Sequence, residues 1–192
     1  NIKVVETDIL ALNDINAGTG DVDITVISGT LTSNTGTKIT GNDLVVVGDG
    51  AVTINTNIDT VAASTNNADI TITEDNGLAL NLVNAGTGNV QIALTAGAIT
   101  DNNGVGLNIK GNEVQLSSVD GIGSGDALET EVNTLKNIVN TTNGSIEIDD
   151  ITGDLAIDTV NNGDRLVKIT SAGAITDGDI MNNNDGIDII AG

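Results

Sequence analysis

Apolar and polar residues alternate over short runs along the whole chain. Val90, Ile92 and Leu94 alternate with Asn89, Gln91 and Ala93, and Ile70 and Ile72 alternate with Asp69 and Thr71. Successive side chains of a strand point to opposite faces, so this pattern predicts short β-strands with one face buried and the other wet. Gly, Asn, Asp and Thr separate the runs, and Asn76-Gly77, Asn103-Gly104, Asn143-Gly144 and Asn162-Gly163 mark turns with a residue that tolerates the left-handed region in first place. Residues 126–139 also fit a helix: Leu128, Val132 and Leu135 stand at i, i+4 and i+7, and Asp126 with Glu129 has the spacing of a capping box. The matching stretch 54–61 is rich in Thr, Asn and β-branched residues and would make a poor helix, so strand is the preferred reading of both.

The alternation is itself repeated. The line LALNLVNAGTGNVQI, from Leu78 to Ile92, stands 68 residues earlier in looser form, Leu10 to Ile24, and about 77 residues later, Leu155 to Ile169. Four rungs of roughly 17–20 residues account for each long repeat. The first carries Val22, Ile24, Val26, Gly29 and Leu31, then Val90, Ile92, Leu94, Gly97 and Ile99, then Val167, Ile169, Gly173 and Ile175. The second matches 39–46 with 109–116, the third 54–61 with 128–135, and the fourth Ile70 and Ile72 with Ile146 and Ile148. The repeats fall at about 16–83, 84–160 and, in part, 161–192, within a single segment 1–192 that opens inside a fourth rung and closes inside a second.

One amphipathic rung cannot hide its apolar face alone, but rungs paired in parallel can stack Val on Ile on Leu along a common axis. The expectation is therefore an all-β parallel solenoid of ten or eleven rungs, about 45–55 Å long at about 4.8 Å per rung. Asn16, Asn84 and Asn161 recur at one corner position, where stacking into an amide ladder and simple occupancy of a left-handed turn are equally good readings.

Composition narrows the interior. The chain has no Phe, Trp, Tyr, Pro, Cys or His and one Met, Met181, so aliphatic side chains must fill the whole core. A narrow solenoid interior suits them better than the wide gap between packed layers that aromatics usually fill. Six basic residues against 27 acidic ones give a formal charge of −21, spread along the chain. Such a surface repels nucleic acid and anionic membrane, which bind Lys and Arg clusters. No apolar run is long enough to insert in a membrane, and a chain opening at Asn1 without a leader reads as a segment of something longer. Absence of cysteine fits an exported protein that does without crosslinks, and fits the cytosol equally.

The stretches GDALETEVNTL, NGSIEIDDITGDLAIDTVN, NAGTGNVQI and AGAITD resemble the long repeats of giant bacterial surface proteins of the filamentous-haemagglutinin type, over essentially the whole chain. The resemblance implies a right-handed parallel β-helix, export to the cell surface or beyond, and a role in an adhesin, filament or matrix. It implies self-association or contact with neighbouring repeats as the main partnership, with a cell-surface glycan or protein as a further partner.

Candidate chemistry is sparse. Polysaccharide-cleaving sites need clustered carboxylates with Lys, Arg or His, and usually aromatic platforms for the sugar. Here Lys3, Lys38, Lys110, Lys136, Arg165 and Lys168 are scattered, and the one tight cluster, Asp164, Arg165 and Lys168, reads as solvated charge. The chain is thus expected to be non-enzymatic. Asp177-Gly178-Asp179, with Asp185 and Asp188, offers carboxylates on a flexible turn and makes Asp177 and Asp179 candidate calcium ligands; Asp149-Asp150 is a second acidic pair. No other cofactor is expected. Gly18-Thr19-Gly20 and 121–125 read as turns rather than phosphate loops. The Thr35/Thr37 and Thr71/Thr73 pairs do not recur in register as a flat ice-binding array would require.

Overall fold

The computed structural model describes the backbone of residues 1–177 and 187–191, with side chains through Thr176. The described residues form two sheets of parallel strands stacked as a β-solenoid of about 8 turns, with no helix. One sheet runs from the strand Ile2–Glu6 to Ile187–Ala191, the other from Leu10–Leu12 to Ile175–Asp177, and the chain passes alternately between them. Stretch 126–139 is two strands, Leu128–Glu131 and Thr134–Asn140, one in each sheet. Burial decides this: Leu128 and Thr130 point inward at period 2, and so do Leu135 and Ile138 across a bulge.

Some turns keep the roughly 17–20 residues expected and others are longer. Leu44 pairs with Val61 after 17 residues, but Val90 pairs with Val114 after 24 and Val83 with Ile109 after 26. Loops at the corners take up the difference, and the chain makes about 8 turns, with ten strands stacked along the path of the first sheet. At about 4.8 Å per turn the stack is about 40 Å long.

Register assigns each sequence repeat a position in space. Leu10–Leu12 lies in the second sheet, its copy Leu78–Asn84 in the first, and the third copy Leu155–Asn161 in the second again. Counting each pass through a sheet as half a turn, successive copies are seven passes apart, so the sequence period is three and a half turns where spacing alone suggests four rungs. Because seven is odd, corresponding residues stand on opposite faces of the solenoid. Asn16, Asn84 and Asn161 therefore cannot stack on one another. Each side-chain oxygen instead accepts a local backbone N–H, from Gly18 at 2.8 Å, Gly86 at 2.9 Å and Gly163 at 3.1 Å. The glycine, not the asparagine, takes the left-handed conformation in these turns, at φ 62°, 61° and 59°.

Amide ladders form where residues are one turn apart. Asn133 Nδ2 donates to Asn112 Oδ1 at 3.0 Å, and Asn112 Nδ2 to Asn89 Oδ1 at 3.3 Å. Inside, aliphatic columns follow the axis. Val52, Ile70, Val90 and Val114 stack in register, as do Ile54, Ile72, Ile92 and Leu116, all at most 1% exposed. Each such side chain contributes about 1.5–3 kcal/mol of burial.

Candidate functional site

The inward positions of two corresponding strands end in carboxylates. In Ile70–Glu74 the series Ile70, Ile72 closes on Glu74, and in Ile146–Asp150 the series Ile146, Ile148 closes on Asp150; both acids are 0% exposed. Their partners correspond as well. Ile58 N–H donates to Glu74 Oε2 at 3.1 Å, and Val132 N–H donates to Asp150 Oδ1 at 3.2 Å. Ile58 and Val132 stand where the chain leaves one sheet for the other, so their N–H groups turn inward and need an acceptor. Thr130 Oγ1 also donates to Asp150 Oδ1, at 3.3 Å, while among the described residues Asp150 Oδ2 has no partner. Burial lifts the Asp150 carboxyl to about 6, against the opposing hydrogen bonds of Val132 and Thr130, and burial lifts Glu74 in the same direction. These acids cap corners from within.

Directly outside the Val132 corner lies a groove of about 560 Å³, bounded by four successive turns. Gly86 and Thr87 form one end, then Lys110 to Asn112, then Glu131 to Asn133, and Thr152 to Asp154 the other end. Lys110 Nζ meets Glu131 Oε1 at 2.7 Å across one turn, both side chains about one-third exposed. The Asn112–Asn133 ladder lines the groove beside them. Val132 is the one large apolar residue in the lining.

The corresponding corner of the preceding repeat is built on the same backbone frame. Asn42 N–H donates to Gly20 O as Asn112 N–H does to Gly88 O, and Gly41 N–H donates to Asn57 O as Gly111 N–H does to Glu131 O. Asp59 and Thr60 both donate to Asn42 O, as Asn133 and Thr134 do to Asn112 O. The side chains differ. Thr40 and Asn57 occupy the places of Lys110 and Glu131, and Asn76 Nδ2 bridges to Asn57 Oδ1 at 3.0 Å. From Glu74 to Leu78 the chain spends three residues, whereas from Asp150 to Leu155 it spends four, Ile151 to Asp154.

The other candidates read from the sequence sit elsewhere. Arg165 of the Asp164, Arg165, Lys168 cluster donates from Nη2 to Asn140 O at 3.1 Å and from Nε to Asn162 Oδ1 at 3.3 Å, which ties one corner to the next. Gly18, Thr19 and Gly20 form a corner whose Gly20 N–H donates to Ala17 O at 3.0 Å. Gly121 to Gly125 form another, and a Cβ on Gly123 would stand 2.2 Å from the Glu147 carbonyl oxygen. Thr71 and Thr73 stack on Thr53 and Asn55 below and on Gln91 and Ala93 above, so no threonine array is present on this face. Asp179 and Asp185 of the calcium candidate lie outside the described residues, and Asp177 and Asp188 are described in backbone alone. Lys110, Glu131 and Asp154 carry no local motif. They are visible in the sequence only as positions where one copy of the repeat departs from the other.

No protein-family model, curated protein or solved structure matches this chain.

Proposed function

We propose that this chain is a non-enzymatic structural segment, a stiff acidic length of solenoid within an extracellular, adhesin-like bacterial surface protein of the filamentous-haemagglutinin type. The observation that carries the reading is the unbroken stack: nearly every turn hydrogen-bonds to the next around one aliphatic core, with Ile54, Ile72, Ile92 and Leu116 as one of its columns. In a solenoid each turn supports its neighbours, so stiffness comes from the summed contacts of adjacent turns. The charge of −21 keeps such a rod soluble and discourages lateral clumping. The repeat motifs support placement at a bacterial surface, where the rod would space other modules or pack against further repeats of its own protein.

Pulling the segment by its ends between two reference domains tests the mechanical role. The expected record is resistance followed by stepwise release of single turns, each about 20 residues and about 70 Å of contour. Smooth extension from the lowest forces, as for a flexible linker, contradicts it, and polysaccharide cleavage by the purified chain contradicts the non-enzymatic part.

A further inference from the structure

We infer that the corner groove bounded by Thr87, Lys110, Glu131, Asn133 and Asp154 is a binding site for a neutral oligosaccharide. This goes beyond the mechanical role. The two corners related by three and a half turns share their backbone hydrogen bonds, so solenoid geometry does not require what distinguishes them. One is bridged by an Asn76–Asn57 amide contact; the other has an extra residue in its last loop, a lysine–glutamate pair and an open volume of about 560 Å³. That volume lies within the range of about 300–1,000 Å³ usual for ligand sites. From the Thr87 turn to the Asp154 turn the groove spans three turn spacings, about 14 Å, room for roughly three pyranose rings end to end.

The lining decides the chemistry of the occupant. Lys110 offers an ammonium donor, Glu131 and Asp154 offer carboxylate oxygens, and Asn133, Thr87 and Thr152 can both donate and accept. Glu131 Oε1 is held by Lys110 and Asp154 Oδ1 accepts the Ala174 N–H at 2.9 Å, so each carboxylate keeps its other oxygen for a sugar hydroxyl. With Val132 as the one large apolar wall residue, an apolar ligand would leave most of these groups unpaired. An anionic ligand would meet two carboxylates and a chain of net charge −21. A peptide adding as a strand needs free backbone groups, but at this corner the N–H groups of Gly111, Asn112, Asn133 and Thr134 are committed to neighbouring turns. Among the described residues no group of three or more acidic side chains is placed to hold a metal ion. A cationic ligand would face the Lys110 ammonium, which already neutralises Glu131, so an uncharged polyhydroxylated molecule fits this lining best.

The internal repeat supplies the control for the test. Lys110→Thr with Glu131→Asn installs the residues that the other corner already carries on the same backbone frame, so the variant keeps the fold, as circular dichroism will show. The probes are neutral tri- and tetrasaccharides of glucose, galactose, mannose and N-acetylglucosamine, alongside uronate and sulfated oligosaccharides, on an array and then by calorimetry. The expected result is that at least one neutral probe binds, that the anionic ones do not, and that the double variant weakens binding by at least about tenfold. Thr40→Ala with Asn57→Ala, at the bridged corner, leaves binding unchanged. Failure of every neutral probe at up to about 10 mM, preference for an anionic glycan, or full binding by the folded double variant overturns the assignment.

Discussion

Replacing Ile72 with alanine lowers the free energy of unfolding by about 3–4 kcal/mol. Ile72 is 0% exposed and sits between Ile54 one turn below and Ile92 one turn above, in the middle of an aliphatic column. Removing three carbons there costs their transfer from water and leaves a cavity that parallel strands, pinned by turn-to-turn hydrogen bonds, cannot close. Truncation of the adjacent outward residue, Thr71→Ala, costs no more than about 0.5 kcal/mol. Urea unfolding of the two variants beside the parent chain checks the contrast. Similar losses at both positions would mean that the alternation does not divide inside from outside.

Stability falls as pH rises between about 4 and 6, and Asp150→Asn removes much of that fall. The Asp150 carboxyl titrates at 3.8 when unfolded and is pushed to about 6 by burial in the folded chain. Below 3.8 it is protonated in both states and carries no penalty. Above 6 it is ionised in both, and the folded state bears the desolvation of a buried carboxylate. Stability is thus fully present at the acid end and is lost as pH passes through the folded value, by about 3 kcal/mol from this group. Glu74, raised by burial in the corresponding corner, adds a fall of the same sign. Asparagine keeps an oxygen to accept the Val132 N–H and the Thr130 hydroxyl, and places an uncharged amide where Oδ2 stands. The variant is therefore expected to be more stable than the parent above pH 6.5 and no more stable near pH 4, as read from urea midpoints across that range. A parent chain whose stability rises from pH 4 to 6 would contradict this account of the buried acids.

Much of the architecture is legible in the residues. Val90, Ile92 and Leu94 announce an inward face because a strand has no other way to sort alternating side chains, and all three are buried. The inward series Ile70, Ile72, Glu74 likewise shows a carboxylate at a core position, a departure that local pattern displays and composition hides. The phase of the long repeat is not legible. LAL at Leu10 and LAL at Leu78 read alike because a strand buries the same alternate residues whichever sheet it joins, and only the count of intervening strands sets them on opposite faces. The amide ladder illustrates the same point. Asn89, Asn112 and Asn133 stack because each is one turn from the next, at separations of 23 and 21 residues that vary with corner loops. The groove depends on four such turns aligning, so no single stretch of sequence displays it.

The absence of cysteine from the chain makes the parallel register directly measurable. Thr71 lies beside Gln91, and Gln91 beside Gln115, each pair on the outer face of adjacent strands. Adjacent parallel strands place such residues about 4.8 Å apart, within the Cα range of about 4.4–6.8 Å that a disulfide spans, whereas residues two turns apart stand at about 9.6 Å. Under mild oxidation, Thr71→Cys/Gln91→Cys and Gln91→Cys/Gln115→Cys should each crosslink within the chain, and Thr71→Cys/Gln115→Cys should not. Ready crosslinking of the Thr71/Gln115 pair, with neither adjacent pair reacting, would contradict the parallel solenoid on which the rest depends.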